Sequence, residues 1–581
     1  MSPERAVLAA LLALAVTVLG GCASIPTDGP VVEGLSGDED VDTGFEVLPV
    51  GPGVDETPES IVRGFLLAAG GVEDDFGVAR TFLTPTARTG WQPTQSTVVY
   101  GTAPEVTLFD PSGAALPEAG AEAETVTARV VVPVVATIDA DGRYVPAPAG
   151  TTEQVELGIQ KVSGQWRIGQ VADEVLVDSS EFDLVYRGYE LFFLDPTGTF
   201  LVPETRWFPD RPSTATALVT QLLAGPSQWL SAAVTTAFPA GTGLDLDAVP
   251  VEEGTAQVDL TPPARVASPE ARALMQAQLE ATLGPVTTVT SVEMTVDSSP
   301  LELPAQPAQV RRDPGVDDSP VLVTDVTLVR PDDGALTPVE GLPPLEGLAI
   351  SNPAISYGET SYAVLAGQRS RLMHLVPGSD TVPEPLVTGA DLTAPSFDLL
   401  GWIWSTPAQS VGVVRATTGE GDVAEVQAGW LAGRRVTSLR IARDGTRAVI
   451  ASTDPAGQGH VDVAGVVRDP GGTPELLQPM GEGVVGTGLV RVVEAVWVDE
   501  VRVAVLGRRD VDTEDRVQVL RLGGPAQPPL APPPGAVSLA AAKGQASIVV
   551  GTSDGELLVQ AGAVWVGQAG VSGVRDPAFV G

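Results

Sequence analysis

A chain of 581 residues, 43% of them hydrophobic, carries enough apolar material for several folded cores and is not a disordered polymer. Its formal net charge of −41 repels phosphate backbones and anionic lipid headgroups, which excludes nucleic acid as a partner and adhesion to a membrane surface through protein charge. One cysteine allows no internal disulfide, so stability must come from packing.

Arg5 precedes an apolar run, Ala6 to Val18, that closes in Leu19-Gly20-Gly21-Cys22. One basic residue, a short apolar core and small residues before a cut site read as a secretory signal, and the core is too short to span a bilayer comfortably. The cysteine after Leu-Gly-Gly makes the segment resemble a bacterial lipoprotein signal. That resemblance implies cleavage between Gly21 and Cys22 and S-diacylglycerol plus N-acyl groups on Cys22. Residues 1–21 are then signal peptide, and lipid is the sole hold on the membrane. Residues 22–56, rich in Pro, Gly, Asp and Glu without an apolar period, read as a flexible spacer.

Residues 57–185 read as an α+β domain. Thr57-Pro58-Glu59 suits a helix start, with Ile61, Val62, Phe65, Leu66 and Ala69 on one face and Gly70-Gly71 as the stop. A second helical piece holds Val78, Ala79, Phe82 and Leu83. Strands are expected at Val98–Gly101, Val106–Phe109, Thr125–Ile138, Gln154–Val162 and Trp166–Gln170, with hairpin turns at Asp141-Gly142 and Ser163-Gly164. Helices followed by a curved antiparallel sheet resemble the cone-shaped, nuclear-transport-factor-like domains.

Residues 186–305 form the next unit. Tyr189–Leu194 and Phe200–Trp207 are strand-like around Asp195-Pro196-Thr197-Gly198, and Thr214–Leu223 is an amphipathic helix. Ala256–Leu260 is a strand, Ser268-Pro269-Glu270 caps a helix that Gly284-Pro285 ends as a C-cap, and Val286–Val296 is a final strand. In order, Val202-Pro203-Glu204-Thr205-Arg206, Leu222-Leu223-Ala224-Gly225-Pro226, Phe238-Pro239-Ala240-Gly241-Thr242 and Val258-Asp259-Leu260-Thr261 resemble a GerMN domain.

After a linker at 306–320, residues 321–581 are strand and turn throughout. A loose repeat places Ile355, Phe397, Leu439, Ala495 and Leu539 at spacings of 42, 42, 56 and 44. One four-stranded blade per repeat, with an insertion near 470–490, predicts an all-β propeller of five or six blades. Val321–Arg330 is positioned to close the ring with the C-terminal residues. A β-sandwich shares these strand and turn signals and is the alternative. The fold class is therefore multidomain, two α+β domains followed by a propeller.

Several motifs tempt a chemical reading and lack its context. Gly551-Thr552-Ser553-Asp554-Gly555 matches a nucleophile elbow, but a strand follows instead of a helix, and both histidines, His374 and His460, precede it. Gly481 to Gly486 spells a dinucleotide fingerprint with no helix after it. Asp139-Ala140-Asp141-Gly142 has its glycine too early for a calcium loop, and Asp510, Asp512, Glu514 and Asp515 read as solvated turn charges. Two histidines and one lipidated cysteine cannot build the usual zinc site. The expectation is no catalytic residue, no metal and no cofactor. Trp402 and Trp404 share one sheet face and suit packing between blades.

The lipobox, the helical-then-β domain, the GerMN blocks and the propeller phrases Pro395-Ser396-Phe397-Asp398, Gly401-Trp402-Ile403-Trp404 and Arg443-Asp444-Gly445-Thr446-Arg447 together resemble the LpqB lipoproteins of actinobacteria. The resemblance implies a cell-membrane lipoprotein facing outside the cytoplasm. It implies an accessory modulator of the Mtr two-component system that binds the external sensor domain of the histidine kinase and acts in cell-wall homeostasis and division. The alternative readings are a propeller-type cell-wall hydrolase and a sensor of wall fragments. A Cys22→Ser chain is expected to leave the membrane fraction after a salt wash, because a −41 chain has no other hold there; retention would refute lipid anchoring.

Overall fold

The computed structural model describes residues 49–71, 74–116, 123–481 and 488–581. Gly21, Cys22, the signal segment, most of the spacer and the glycine fingerprint beyond Gly481 lie outside the described residues.

The first helix, α1 (Pro58–Ala69), starts where the sequence predicts. Thr57 Oγ1 accepts from the Ser60 amide at 3.2 Å, and Ile61, Val62, Phe65, Leu66 and Ala69 are buried. That face covers a sheet of β1 (Ser96–Tyr100), β2 (Glu105–Phe109), β3 (Thr125–Asp139), β4 (Thr152–Val162), β5 (Gln165–Gln170) and β6 (Val175–Asp178). The long β3 pairs antiparallel with β1, β2 and β4, and its alternate residues Val126, Ala128, Val130, Val132, Ala136 and Ile138 point into the core. The periodicity reading missed the short strands Ala115–Leu116 and Tyr144–Pro146 and also β6. Β6 runs parallel to β1, with Thr97 opposite Val175, because the chain crosses the sheet before returning. Asp178 then caps α2 (Ser179–Val185) by accepting from the Ser180 amide at 2.9 Å.

The middle domain opens with a hairpin of β7 (Tyr186–Leu194) and β8 (Phe200–Pro209), in register from Leu201↔Leu194 to Pro209↔Tyr186. Helices α3 (Thr214–Ala224) and α4 (Pro269–Leu283) pack on β7, and β9 (Thr255–Leu260) pairs parallel with β10 (Ser291–Val296). Gly284 is the C-cap of α4 as expected, with a right-handed φ of −54° and its amide bonded to Glu280 O; one expectation needs correction. The last strand begins only at Ser291, because Val286 and Val289 are spent on turns whose amides bond back to Leu283 and Val286.

From Val321 the chain lays down six antiparallel blades in succession, the third and fourth joined into one eight-stranded sheet. Blade 1 holds Val321–Val323, Leu328–Asp332 and Ala335–Pro338; blade 2 runs from Ser351–Ile355 to Val387–Thr388; blade 3 from Ser396–Phe397 to Val423–Gln427. Blade 4 runs from Arg435–Ile441 to Pro474–Pro479, blade 5 has three strands from Leu489–Trp497 to Arg516–Arg521, and blade 6 runs from Ala536–Ala541 to Val564–Ser572. Arg575–Ala578 returns to blade 1 as its inner strand, with Val321 opposite Ala578 and Val323 opposite Arg575. Each inner strand touches the inner strand of the next blade, around to the start, so the ring is closed. Ile355, Phe397, Leu439, Ala495 and Leu539 all sit buried on inner strands, which is why they repeat. Tryptophans tie blades together: Trp430 Nε1 donates to Leu477 O at 3.0 Å, and Trp497 Nε1 to Arg440 O at 3.1 Å. Trp404, fully buried, and Trp402 pack in the cluster shared by blades 3 and 4.

Beside α1, Glu181 stands so close to Gly70 that a Cβ there would lie 2.3 Å from Oε2. Burial, and then the neighbouring Asp178, push the Glu181 carboxyl from 4.5 to about 7. A folded-state value above the unfolded one means this group favours the fold at low pH, and the benefit is lost as pH rises from about 4.5 through about 7. Thermal unfolding should therefore shift downward between pH 5 and pH 8, and Glu181→Gln should flatten that part of the profile; an unchanged profile in the variant would refute the assignment.

Candidate functional site

Residues Leu48 to Gly581 belong to one compact unit, and its three parts meet on a single strand, β8. Glu204 and Arg206 are two apart and so share one face of the strand. Both are nearly fully buried and bond bidentately, Nη1 to Oε1 and Nη2 to Oε2, each at 3.1 Å. Glu204 also accepts from the Ser227 amide at 3.0 Å and from Trp229 Nε1 at 3.2 Å. Burial alone would raise the Glu204 pKa, but Arg206 and the two Ser227 donors outweigh it and hold the carboxyl below its usual range. The Ser227 hydroxyl accepts from Arg206 Nη2 at 3.1 Å and from Arg143 Nε of the N-terminal domain at 2.9 Å.

The propeller joins from the other side. Arg447, 1% exposed, is paired with Asp444, donates Nη1 to Pro203 O of β8 at 3.3 Å, and lies 5.1 Å from the Trp497 ring centre. One residue past Arg206, Trp207 reaches both remaining parts. Its Nε1 donates to Gly523 O of the propeller at 2.6 Å, and its amide to Gly142 O at 2.7 Å. Its ring packs 5.2 Å from Phe182 and 5.9 Å from Tyr144. Gly142 turns at φ +79°, and a Cβ there would meet Phe208 at 2.8 Å, so the approach of this hairpin to β8 requires glycine. Among these walls lies a cavity of about 410 Å³ reached by Tyr144, Trp229, Gln478, Met480 and Leu522 as well as Arg143, Arg206 and Arg447.

The charged groups at this junction are paired with one another, and Ser227 lies among Arg143, Arg206 and the Glu204 carboxylate. The arrangement can bind and brace, with Glu204 engaged at once by Arg206, Ser227 and Trp229. Among the described residues no group of three or more His, Cys, Asp or Glu is placed to hold a metal. The tempting motifs that fall among the described residues form turns and ion pairs. Ser553 to Gly555 is a turn between two strands. Asp139 and Asp141 are bound by Arg143; Asp512 is bound by Arg509 and Arg516, and Asp515 by Arg491. His374 sits half-buried near Phe397. His460 is on a strand and meets Asp454 at 3.0 Å.

The propeller phrases turn out to be joints. Asp398 accepts from Trp404 Nε1 at 3.0 Å and from Arg468 of blade 4 at 2.6 Å, while Asp444 and Arg447 clamp β8. Sequence reasoning quoted Glu204 and Arg206 only as part of a domain block and missed their burial. The signal was there: an acid and a base two apart within the apolar run Phe200 to Phe208. Glu204→Leu alone strands Arg206 in the interior and should cost about 3–5 kcal/mol in denaturant unfolding. The double change Glu204→Leu/Arg206→Met should recover most of that loss, and a double variant as unstable as the single one would contradict the pairing.

Comparison with known proteins follows the same three-part division. Family models described as "Lipoprotein LpqB, N-terminal domain", "Sporulation and spore germination" and "Lipoprotein LpqB beta-propeller domain" match residues 51–183, 190–302 and 327–580. The chain is 30% identical to the lipoprotein LpqB of Thermobifida fusca over 566 residues, covering 87% of this chain and 88% of that one. It is 29% identical to the LpqB of Streptomyces coelicolor, covering 85% of each. Among solved structures it is similar to TolB from Acinetobacter baumannii (TM-score 0.33, 16% identity, 45% of this chain and 66% of that one). It is also similar to the first GerMN domain of the sporulation protein GerM from Bacillus subtilis (TM-score 0.18, 24% identity, 22% and 94%).

Proposed function

The chain belongs to the LpqB lipoprotein family, and we propose that it is a lipid-anchored adaptor working outside the cytoplasm by protein binding. In this reading Cys22 carries the lipid, and the folded body modulates the Mtr two-component system through the external sensor domain of its histidine kinase, with effects on cell-wall homeostasis and division. No helix among the described residues is long and apolar enough to cross a membrane. The observation that carries the reading is the junction on β8. Buried ion pairs are poor stabilisers in themselves but fix geometry, and here they hold Arg206 and Arg447 in place while hydrogen bonds from Arg143 to Ser227, Arg447 to Pro203 O and Trp207 to Gly523 O join the three domains. Such a body suits presentation of a surface. A tether also raises the local concentration of a membrane neighbour, so modest affinity suffices. The 410 Å³ junction cavity favours one second reading, a sensor that holds a wall fragment.

The soluble chain from residue 23 onward should bind the purified external domain of the kinase, more weakly as salt rises, since the chain is strongly acidic. A His374→Ala/His460→Ala chain should bind equally well. Wall hydrolysis by the wild type that disappears in this double variant would overturn the reading in favour of an enzyme.

A further inference from the structure

Every propeller blade ends in an outer strand whose unpaired edge is a template for pairing with another chain, and proteins blunt such edges. Five blades of this ring do so by different means. The outer strand of blade 1 is four residues ending in Pro338, and that of blade 2 is two residues long. Blades 3 and 4 join edge to edge where Gln427 pairs with Leu476. Blade 5 ends in Arg516–Arg521, charged at both ends and roofed by the following loop: Ala526 bridges Leu520, the Leu530 amide donates to Val517 O, and Gln518 Nε2 donates to Gln527 O.

Blade 6 is different. Its outer strand, Val564–Ser572, is nine residues long and holds no charge and no proline. It pairs on one side with Glu556–Ala561, and Val564 and Val566 are 56% and 42% exposed. The Asp333-Gly334 turn of blade 1 closes over Gly570, where a Cβ would lie 1.9 Å from Gly334 O. From Val564 to Ala569 the outer edge has no backbone partner among the described residues.

We propose that this edge is a docking strand, to which an extended segment of the kinase's external domain adds by main-chain hydrogen bonds. The proposal rests on the adaptor reading above, and charge selects the occupant. A second copy brings −41 against −41, and the chain's own residues 23–48 hold seven acids and no Lys or Arg. The strand itself is neutral, with exposed Asp332 and Asp333 at its far end. It therefore fits an uncharged extended segment flanked by Lys or Arg.

The test compares three soluble chains against the external domain: wild type, Val564→Lys/Val566→Lys, and a Val411→Lys/Val511→Lys control that adds the same charge at two other exposed valines. The edge variant should bind at least tenfold more weakly and the control like wild type, and amide exchange at 564–569 should slow when the external domain is added to wild type. Equal binding by edge variant and control overturns the docking strand and leaves the adaptor reading standing. No binding by wild type overturns both. A wild-type dimer in sedimentation that the edge variant abolishes assigns the edge to a second copy and overturns the proposal.

Discussion

Strand β8 is the constraint on which the rest of the molecule depends. Within ten residues it bonds to β7, accepts from propeller Arg447 through Pro203, buries the Glu204–Arg206 pair, and sends Trp207 between the N-terminal core and Gly523. Its first two residues also pair with Arg311 and Arg312, which lead into the propeller. A strand used on every side cannot shift in register without breaking contacts in all three domains at once. The apolar core of the middle domain runs without interruption into blades 4 and 5, through Ala442, Val449, Val503 and Leu520. The usual expectation of domains moving freely about polar linkers does not describe this body.

Arginine has a particular task in so acidic a chain. At the joints its guanidinium cancels a buried carboxylate and uses its remaining N–H groups on main-chain carbonyls. Arg447 does this between Asp444 and Pro203, and Arg440 between Glu494 and Pro395. Buried acids at these seams are matched by arginine, and the chain as a whole keeps its excess of acids. A partner thus meets an anionic surface, and a neutral strip such as the last outer strand stands out within it.

Much of the architecture was legible from periodicity and punctuation. Thr57 and Ser268 cap helices because their hydroxyls satisfy amides the helix cannot, and such caps are local enough to read. The blade repeat was readable because one inner-strand position per blade must be apolar and buried. What failed depended on partners distant in sequence. Β6 is parallel only because β1 lies beside it. The junction could not be foreseen from Arg447 or Glu204 alone, since a charged residue in a strand reads as solvent-facing until its counter-charge from another element is placed.

Closure of the ring bears on how the molecule is made. The pair Arg575–Asp325 spans 250 residues, and the inner strand of the first blade arrives after every other blade. Joining such distant segments carries a large entropic cost, rewarded only when the last strand seats, so assembly has high contact order and a late decisive step. Until blades 4 and 5 form, the middle domain carries an apolar flank without its cover. The interval between completing the middle domain and seating Arg575–Ala578 is therefore the aggregation-prone phase of this chain's life, and quality control acting on it would have that flank to recognise.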